Sequence, residues 1–337
     1  MMRTGTQWAS GVASLLICAA VASPSASFAQ PARAVATKRL PRLPAGDHTF
    51  KLEHGGRSRE YIVHMPPGAD SVPSLPILLA FHGGGGEAEQ YKRSAGLDAV
   101  SDREKFVVVY PYGMGALPRR LLTWNAGECC GPAMNRNVDD VGFAIAVLDD
   151  VMRRTSIDKR RVYATGHSNG SMMSHRLAAE RADRIVAIAV VAGAYNLEKF
   201  APSRAVAVLE IHSADDPRAL YNGGMGPAFP GTTVQSSHRP VMAGMNLWAR
   251  NNKCADSTVT ESRTGQAGTI NAGQTASLIT WRRCAPGGTV AHWKLTGVGH
   301  GWPGDVQAAT RERIIGPPTT LISAAEEVWK FVSKVKR

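Results

Sequence analysis

The sequence predicts an α/β protein with a mostly parallel central sheet and helices on both faces. Short apolar runs such as Pro76–His82 and Phe106–Tyr110 are nearly continuous, which is typical of strands buried on both faces. These runs alternate with amphipathic segments such as Val141–Arg153. Strands that alternate with helices favour parallel pairing, because a helix returns the chain to the same edge of the sheet.

Each element follows from its local pattern. Asp47–Glu53 and Arg59–His64 flank Gly55-Gly56 and predict a β-hairpin, and the stretch 258–284 predicts a two-stranded insertion. The other predicted elements, in chain order, are strands Pro76–His82 and Phe106–Tyr110, helix Val141–Arg153, strand Arg161–Thr165, helix Ser171–Glu180, strands Ile185–Val191 and Ala205–His212, helix Thr233–Asn251, strand His292–Gly297 and helix Ala324–Val335.

The first residues have the composition of a secretory signal peptide. Arg3 precedes an apolar stretch from Gly11 to Ala22, and residues 27–29 (Ser-Phe-Ala) offer a small-x-small cleavage site. The apolar stretch is too short to span a membrane. Residues 15–18 faintly resemble a lipoprotein box, but Ile17 is large for the position before a lipidated cysteine. We therefore expect cleavage after residue 29 and a secreted or periplasmic protein.

The rest of the chain has an ordinary globular composition. Of its 337 residues, 44% are hydrophobic and 20% are charged, which suits one substantial core. We expect residues 30–45 to be a flexible segment and residues 46–337 to form a single α/β domain. The formal net charge of +12 is spread along the chain without interleaved aromatic residues, so neither a nucleic-acid nor a membrane partner is expected.

Four cysteines remain after the predicted cleavage. Cys254 and Cys284 flank the predicted insertion, and an exported protein can keep disulfides, so we expect these two to pair. Cys129 and Cys130 are adjacent, and a vicinal bridge between them is strained but feasible. The cysteines lack the C-x-x-C spacing of zinc sites, so no metal site is expected.

Gly166-His167-Ser168-Asn169-Gly170 fits the G-x-S-x-G pattern between a predicted strand and a predicted helix. In that context the serine lies on a tight turn that lifts its hydroxyl above the sheet. The sequence therefore predicts that Ser168 is a nucleophile and that its neighbour His167 lines a substrate pocket.

An acidic residue and a histidine follow later predicted strands, in the chain order that a catalytic triad would need. Asp215 and Asp216 follow the strand that ends at His212, and His300 lies in the glycine-rich loop after the last predicted strand. We favour Asp216, which Pro217 follows directly, as the acid, with Asp215 as the alternative. Serine, acid and histidine in this order are typical of the α/β-hydrolase fold. The histidine takes the serine proton, and the carboxylate fixes the histidine tautomer.

A glycine run supplies donors for a developing oxyanion. His82-Gly83-Gly84-Gly85-Gly86 follows a buried strand and matches the H-G-G-G loop of lipases and esterases. We assign one donor to the amide of Gly84 and the other to that of Asn169, and we expect His82 to support the loop. A phosphate-binding loop would end in G-K-[ST], which is absent here. Trp124 and Trp302 are further candidates for walls of the substrate pocket.

Taken together, these motifs resemble the secreted esterases that include polyhydroxybutyrate depolymerase-like proteins and bacterial feruloyl esterases. The resemblance runs from about Phe50 to the C-terminal helix and rests on the stretches His82–Gly86, Thr123–Gly127, Asn137–Phe143, Gly166–Gly170, His212–Pro217, Tyr221–Gly224 and Gly299–Gly304. It implies an α/β-hydrolase fold, ester cleavage without a cofactor, and export. By the family pattern Ser168 is the nucleophile, Asp216 the acid and His300 the base.

The function expected from the sequence is therefore that of a secreted serine esterase acting through an acyl-enzyme. Its substrates would be small or oligomeric esters, such as short acyl esters, hydroxyalkanoate oligomers, or feruloyl and acetyl groups on polysaccharide. Two alternatives stay open: a serine peptidase on the same fold, and a non-catalytic exported binding protein on a hydrolase scaffold.

Overall fold

Ten strands form one central sheet in the computed structural model, which describes residues 42–229, 233–305 and 310–337. Two further short strands, β8 and β9, pair with each other. The strands are β1 (Gly46–His54), β2 (Arg57–Met65), β3 (Leu75–Phe81), β4 (Val107–Pro111), β5 (Ile157–Gly166), β6 (Ala187–Val191), β7 (Ala207–Ser213), β8 (Gly224–Met225), β9 (Ser237–His238), β10 (Ser257–Thr264), β11 (Thr275–Trp281) and β12 (Val290–Thr296).

The sheet is parallel in the middle and antiparallel at its edges. Its strand order is β1-β2-β4-β3-β5-β6-β7-β12-β11-β10. The strands from β4 to β12 in this order pair in parallel, whereas the β1–β2 and β10–β11 hairpins add antiparallel strands at the two edges. The predicted fold class and the predicted hairpin are confirmed.

Helices cover both faces of the sheet. They are α1 (Ala88–Ala95), α2 (Leu97–Glu104), α3 (Gly131–Asn135), α4 (Asp140–Arg154), α5 (Asn169–Glu180), α6 (Val241–Asn251), α7 (Glu312–Ile315) and α8 (Ala324–Val332). Side chains of β3 alternate between two cores: Ile77 and Leu79 pack with residues of α4, α5 and α6, whereas Leu78 and Ala80 pack with α1, α2 and α8. Every residue of β3 is buried, as its apolar run predicts.

The predicted helix over Thr233–Asn251 is wrong in its first half. The helix begins at Val241, with Pro240 as its N-cap, and Ser237–His238 pairs instead with Gly224–Met225. Proline lacks an amide hydrogen and fits the start of a helix but not its interior, so Pro240 marks the boundary that the apolar pattern obscured.

The segment 258–284 contains two long strands at the edge of the sheet. β10 pairs with β11, which in turn pairs with β12. The sulfur atoms of Cys254 and Cys284 lie 2.00 Å apart and join the two ends of this segment. Cys129 and Cys130 also pair with each other.

The predicted signal peptide over residues 1–29, and residues 30–41 of the predicted flexible segment, lie outside the described residues. In the part of the chain that is described, no helix is both long and apolar enough to cross a membrane.

Candidate active site

Ser168 occupies a sharp turn between β5 and α5. Its φ is 55°, in the left-handed region that a residue with a side chain rarely adopts. A Cβ added at Gly166 would lie 2.3 Å from the backbone oxygen of Gly170, and one added at Gly170 would lie 2.1 Å from that of Phe81. Glycine at both positions therefore permits the strand, the turn and the helix to meet at this point. Backbone strain of this kind is concentrated at functional sites.

The structure brings Ser168, His300 and Asp216 together from three separate strand ends. Nε2 of His300 lies 2.8 Å from Oγ of Ser168, and Nδ1 of His300 lies 2.7 Å from Oδ2 of Asp216. The other carboxylate oxygen of Asp216 accepts hydrogen bonds from the amides of Arg218 and Ala219 at 2.7 and 2.9 Å. The three side chains thus form a continuous line from hydroxyl through imidazole to carboxylate.

Asp215, the alternative acid, has a different partner. Its Oδ2 accepts a hydrogen bond from the amide of Gly297 at 2.7 Å, and its side chain is exposed. Asp216, by contrast, is only 4% exposed. Of the two carboxylates, it is Asp216 that contacts His300.

The environment of Asp216 favours its charged form. Burial alone would raise the pKa of this carboxyl, but the neighbouring charge of His300 and hydrogen bonds from His212 and His300 hold its pKa below the usual range. An ionised Asp216 requires a hydrogen on Nδ1 of His300. Nε2 is then free to accept the proton of Ser168.

The backbone amides of Gly84 and Asn169, beside Ser168, have no acceptor among the described residues, and neither has that of Gly83. The glycine run lies against the nucleophile turn: a Cβ added at Gly83 would lie 3.5 Å from Cβ of Ser168, and one at Gly84 would lie 3.5 Å from Cβ of Asn169. The next amide, that of Gly85, donates to the oxygen of Leu122 at 2.8 Å, which fixes the loop.

The side chains of His82 and Trp124 are buried beside the glycine run and hold its backbone through hydrogen bonds. Burial lowers the pKa of His82 to about 4, so its ring is neutral. Its Nε2 accepts a hydrogen bond from the amide of Gly113 at 3.0 Å. The indole Nε1 of Trp124 donates to the backbone oxygen of His82 at 2.9 Å. This agrees with the supporting role expected for His82.

Trp124 does not form a pocket wall, because its side chain is fully buried and has no surface to offer a substrate. Its backbone instead clamps Asn169: Oδ1 of Asn169 accepts from the amide of Trp124 at 2.7 Å, and Nδ2 donates to the oxygen of Trp124 at 3.1 Å. Trp302 is also buried. Its Nε1 donates to the oxygen of Ala95 at 3.0 Å, and its ring lies 6.4 Å from that of His167. A pocket role for Trp302 stays a prediction.

His167 is half-buried beside the base. Its Nε2 lies 2.6 Å from the backbone oxygen of His300, and because a carbonyl can only accept, this nitrogen carries the hydrogen. Burial and the nearby charge of His300 lower the pKa of His167 to about 3, so the ring is neutral at ordinary pH. His167 therefore anchors the main chain of His300, a contact that the sequence did not reveal.

Two further groups that were not predicted from the sequence lie next to the site. Nδ2 of Asn169 lies 3.9 Å from Sγ of Cys129, which places the Cys129–Cys130 pair against the nucleophile turn. Nε2 of His212 lies 3.3 Å from Oδ2 of Asp216. The sequence does contain an indication of the His212 contact, because Glu210 and His212 are polar residues within an otherwise apolar run that predicts a buried strand.

Elsewhere in the described residues, Asp47, His64 and Asp98 bring atoms of the kind that ligate metals within 4.8 Å of one another. Nζ of Lys92 already lies 2.7 Å from Asp47 and 2.6 Å from Asp98. The ammonium group thus supplies the positive charge that these carboxylates need.

The chain is similar in sequence to known esterases. The family model described as esterase PHB depolymerase matches residues 59–249. A putative esterase, NocK, from Nocardia uniformis subsp. tsuyamanensis is 29% identical over 325 residues, which cover 93% of this chain and 92% of the relative. A bifunctional acetylxylan esterase/xylanase from Neocallimastix patriciarum is 25% identical over 85% of this chain, and a feruloyl esterase B from Piromyces equi is 26% identical over 58% of it. This chain spans 34% and 36% of the length of those last two relatives.

Proposed function

The chain belongs to the esterase PHB depolymerase family and is a carboxylic ester hydrolase, and from this premise we propose that Ser168 is its nucleophile, His300 its general base and Asp216 the acid that orients the base. The observation that supports this most strongly is the pair of contacts made by His300, 2.8 Å to Ser168 and 2.7 Å to Asp216. A base within hydrogen-bond reach of both its nucleophile and its orienting group has the geometry of nucleophilic catalysis.

In the first half of the reaction Oγ of Ser168 attacks the ester carbonyl carbon while Nε2 of His300 takes the hydroxyl proton. The carbonyl oxygen becomes an oxyanion, and Asp216 stabilises the imidazolium that forms. His300 then gives its proton to the departing alcohol oxygen as the carbon–oxygen bond breaks, leaving an acyl group on Ser168. In the second half a water molecule repeats these steps, with His300 as its base, and releases the acid.

The amides of Gly84 and Asn169 are proposed to donate hydrogen bonds to the oxyanion. Both lack an acceptor among the described residues, and both belong to segments that adjoin Ser168. Preorganised donors act where charge develops, and each is worth roughly 10²–10³ in turnover. The clamp between Asn169 and Trp124 keeps one of these donors in place.

We propose small or oligomeric esters derived from polysaccharide or polyester as the substrates. The names of two relatives, an acetylxylan esterase/xylanase and a feruloyl esterase, support acetyl and feruloyl esters, and the family description supports hydroxyalkanoate oligomers. A panel of methyl ferulate, acetylated xylan, hydroxybutyrate oligomers and p-nitrophenyl esters of increasing chain length would rank these classes by kcat/KM. The proposal expects at least one of the three natural ester classes to be cleaved.

Export through a cleaved leader is part of the proposal. The motivating observation is the apolar stretch from Gly11 to Ala22 followed by the small-x-small site at residues 27–29. Mass spectrometry of the protein recovered outside the cytoplasm should give a mature chain that begins at Gln30. A mature chain that still begins at Met1 would contradict this part of the proposal.

The role of Ser168 is tested by the Ser168→Ala variant assayed on p-nitrophenyl acetate and butyrate. Loss of the nucleophile should reduce turnover by about 10⁴–10⁶. Ser171→Ala is a matched control, because this serine lies in the first turn of the helix that Ser168 precedes and donates to the backbone oxygen of Gly193 rather than to His300. Undiminished turnover in purified, folded Ser168→Ala would overturn the assignment.

A further inference from the structure

A chain of buried polar groups continues from the candidate site into the core beneath it. His212 lies at the end of β7, between Glu210 and Asp216. Its Nδ1 lies 3.1 Å from Oε1 of Glu210, and its Nε2 lies 2.8 Å from the backbone oxygen of Ala219 and 3.3 Å from Oδ2 of Asp216. Glu210 and His212 are each 1% exposed.

Every partner of the His212 ring is an oxygen that can accept a hydrogen bond. The backbone oxygen of Ala219 can do nothing else, so Nε2 must carry a hydrogen. Nδ1 faces the carboxyl group of Glu210. The charge on His212 therefore depends on whether Glu210 is ionised.

The second carboxylate oxygen of Glu210, Oε2, faces the ring of His175. Nε1 of Trp248 can only donate, and it lies 3.1 Å from Nδ1 of His175, so that nitrogen is an acceptor. Nε2 of His175 then carries the hydrogen and donates to Oε2 of Glu210 at 2.9 Å. His175 is neutral in this arrangement, and Glu210 receives one hydrogen bond from it.

An ionised Glu210 beside a protonated His212 satisfies all of these contacts. Burial alone would lower the pKa of His212, but hydrogen bonds to Asp216 and Glu210 raise that pKa to about 10. Burial alone would raise the pKa of Glu210, yet hydrogen bonds from His175 and His212 lower it. The negative charges of Glu210 and Asp216 thus flank one positive charge.

Two other histidines and a tyrosine near His212 carry no charge, whereas Lys294 is a cation that every variant described below retains. Burial lowers the pKa values of His238 and His292 to about 4, and Tyr221, whose ring lies 5.9 Å from that of His212, is neutral because burial raises its pKa to about 12. Lys294 is paired in register with His212 on the neighbouring strand β12, and its Nζ lies 5.6 Å from the ring of Tyr221.

We propose that His212 is a buried imidazolium that sets the pH at which the catalytic base becomes available, an inference that rests on the proposed roles of Ser168, His300 and Asp216. His212 and His300 share one carboxylate oxygen, at 3.3 and 2.7 Å. Two positive charges so close repel each other, so a charged His212 disfavours the imidazolium form of the proposed base. His212 acts through Asp216 and is a positioning residue.

The test compares a neutral with a charged replacement. His212→Gln keeps an amide donor toward Asp216 but removes the charge, whereas His212→Lys keeps a cation between the two carboxylates. In His212→Gln the acidic limb of kcat/KM for p-nitrophenyl butyrate should move to higher pH by roughly one to two units, the effect of a nearby unit charge. In His212→Lys the limb should stay within about 0.5 unit of wild type, because the nearby charge is retained.

Two controls separate charge from packing. Glu210→Gln/His212→Gln removes both charges together, so that Glu210 is not left as an unpaired buried ion. It should displace the limb in the same alkaline direction as His212→Gln but by less, because the negative charge of Glu210 is lost as well. His292→Gln alters an equally buried but neutral histidine and should leave the limb in place. An acidic limb that is unmoved in both His212→Gln and Glu210→Gln/His212→Gln would overturn the proposal, as would an equal displacement in His292→Gln.

The charge on His212 can also be measured without an activity assay, from the protonation of the histidine rings by NMR. This separates a failure of the present proposal from a failure of the proposed function. In ¹⁵N-histidine-labelled Ser168→Ala protein at pH 8, the expected result is a histidine with both ring nitrogens protonated whose signals vanish in the Ser168→Ala/His212→Gln variant. Signals of His64, whose two ring nitrogens also face carboxylates, should be the same in both proteins. Absence of such a histidine would overturn the charge on His212 even if wild type is an active serine esterase. Full activity of Ser168→Ala would overturn the proposed function while leaving the imidazolium intact.

Discussion

Nε2 of His167 lies 2.6 Å from the backbone oxygen of His300 and donates a hydrogen bond to it. His167 directly precedes the proposed nucleophile Ser168, and it thereby positions the main chain of the proposed base. The two rings are 4.9 Å apart at their centroids. The contact joins two loops that follow different strands of the sheet, β5 and β12. It therefore restricts how far Ser168 and His300 can move apart.

Removal of this contact should slow the chemical step. We expect His167→Ala to reduce kcat by about 10- to 100-fold with a smaller change in KM, because a catalytic group displaced by about 1 Å can cost 10²-fold. His167→Gln can still donate from its amide and should retain more activity than His167→Ala. Steady-state kinetics on p-nitrophenyl butyrate would show this, and equal activity of His167→Ala and wild type would exclude the anchoring role.

Sequence patterns located the middle of the sheet well because its central strands are buried on both faces. A continuous apolar run such as that of β3 is typical of a buried strand and of few other structures. The proposed nucleophile, acid and base were predictable because they follow the carboxyl ends of strands, where parallel sheets place their functional residues. Helices α1 and α2 were missed because each has eight residues, too short for a clear period, and Gly96 separates them.

The contacts between distant side chains could not be predicted in the same way. Glu210 and His212 were visible as polar residues in a buried strand, but their partners His175 and Trp248 come from α5 and α6. Trp124 was expected at a pocket wall because tryptophan suits that role, whereas its burial depends on how residues 113–125 pack beneath the glycine run.

The side chain of Asn169 should matter through its clamp on Trp124. Asn169→Asp places a carboxylate oxygen against the oxygen of Trp124 and a negative charge beside the proposed oxyanion, so we expect kcat to fall by roughly 10²–10³. Asn169→Ala keeps the backbone amide and adds no charge, so its loss should be closer to about 10-fold. A comparison of kcat for the two variants checks this, and a smaller loss in Asn169→Asp than in Asn169→Ala would be inconsistent with an oxyanion at this position.

Stability should pass through a maximum near pH 6.5. His82 and His292 have folded pKa values lowered to about 4 by burial, so the stability they contribute is present above their unfolded value of about 6.5 and is lost as pH falls toward 4. His212 has a folded pKa raised to about 10, so its contribution is present below about 6.5 and is lost as pH rises toward 10.

Urea unfolding at a series of pH values would measure this profile. We expect the free energy of unfolding to drop by at least about 2 kcal/mol on each side of the maximum. The alkaline decline should be reduced in Glu210→Gln/His212→Gln, which lacks the raised pKa. An alkaline decline of the same size in that variant would show that other groups are responsible.

The Cys254–Cys284 disulfide should stabilise the fold without assisting catalysis. It closes a loop with a sequence separation of 30 residues at the sheet edge, remote in strand order from β5. Replacement of both cysteines by alanine should lower the free energy of unfolding by about 2–4 kcal/mol and leave kcat/KM at 25 °C within about twofold of wild type. Thermal unfolding and kinetics of the same preparation would test both parts, and an unchanged Tm would contradict the first.

The most direct measurement of the central claim is the site of covalent modification by an organophosphonate ester that mimics the tetrahedral intermediate. Peptide mass spectrometry of the treated wild-type protein should place a single adduct on Ser168, with adduct formation slowed by at least about 10³-fold in His300→Ala, since the serine then lacks its base. Modification of a different residue, or labelling of Ser168 at an undiminished rate in His300→Ala, would contradict the account.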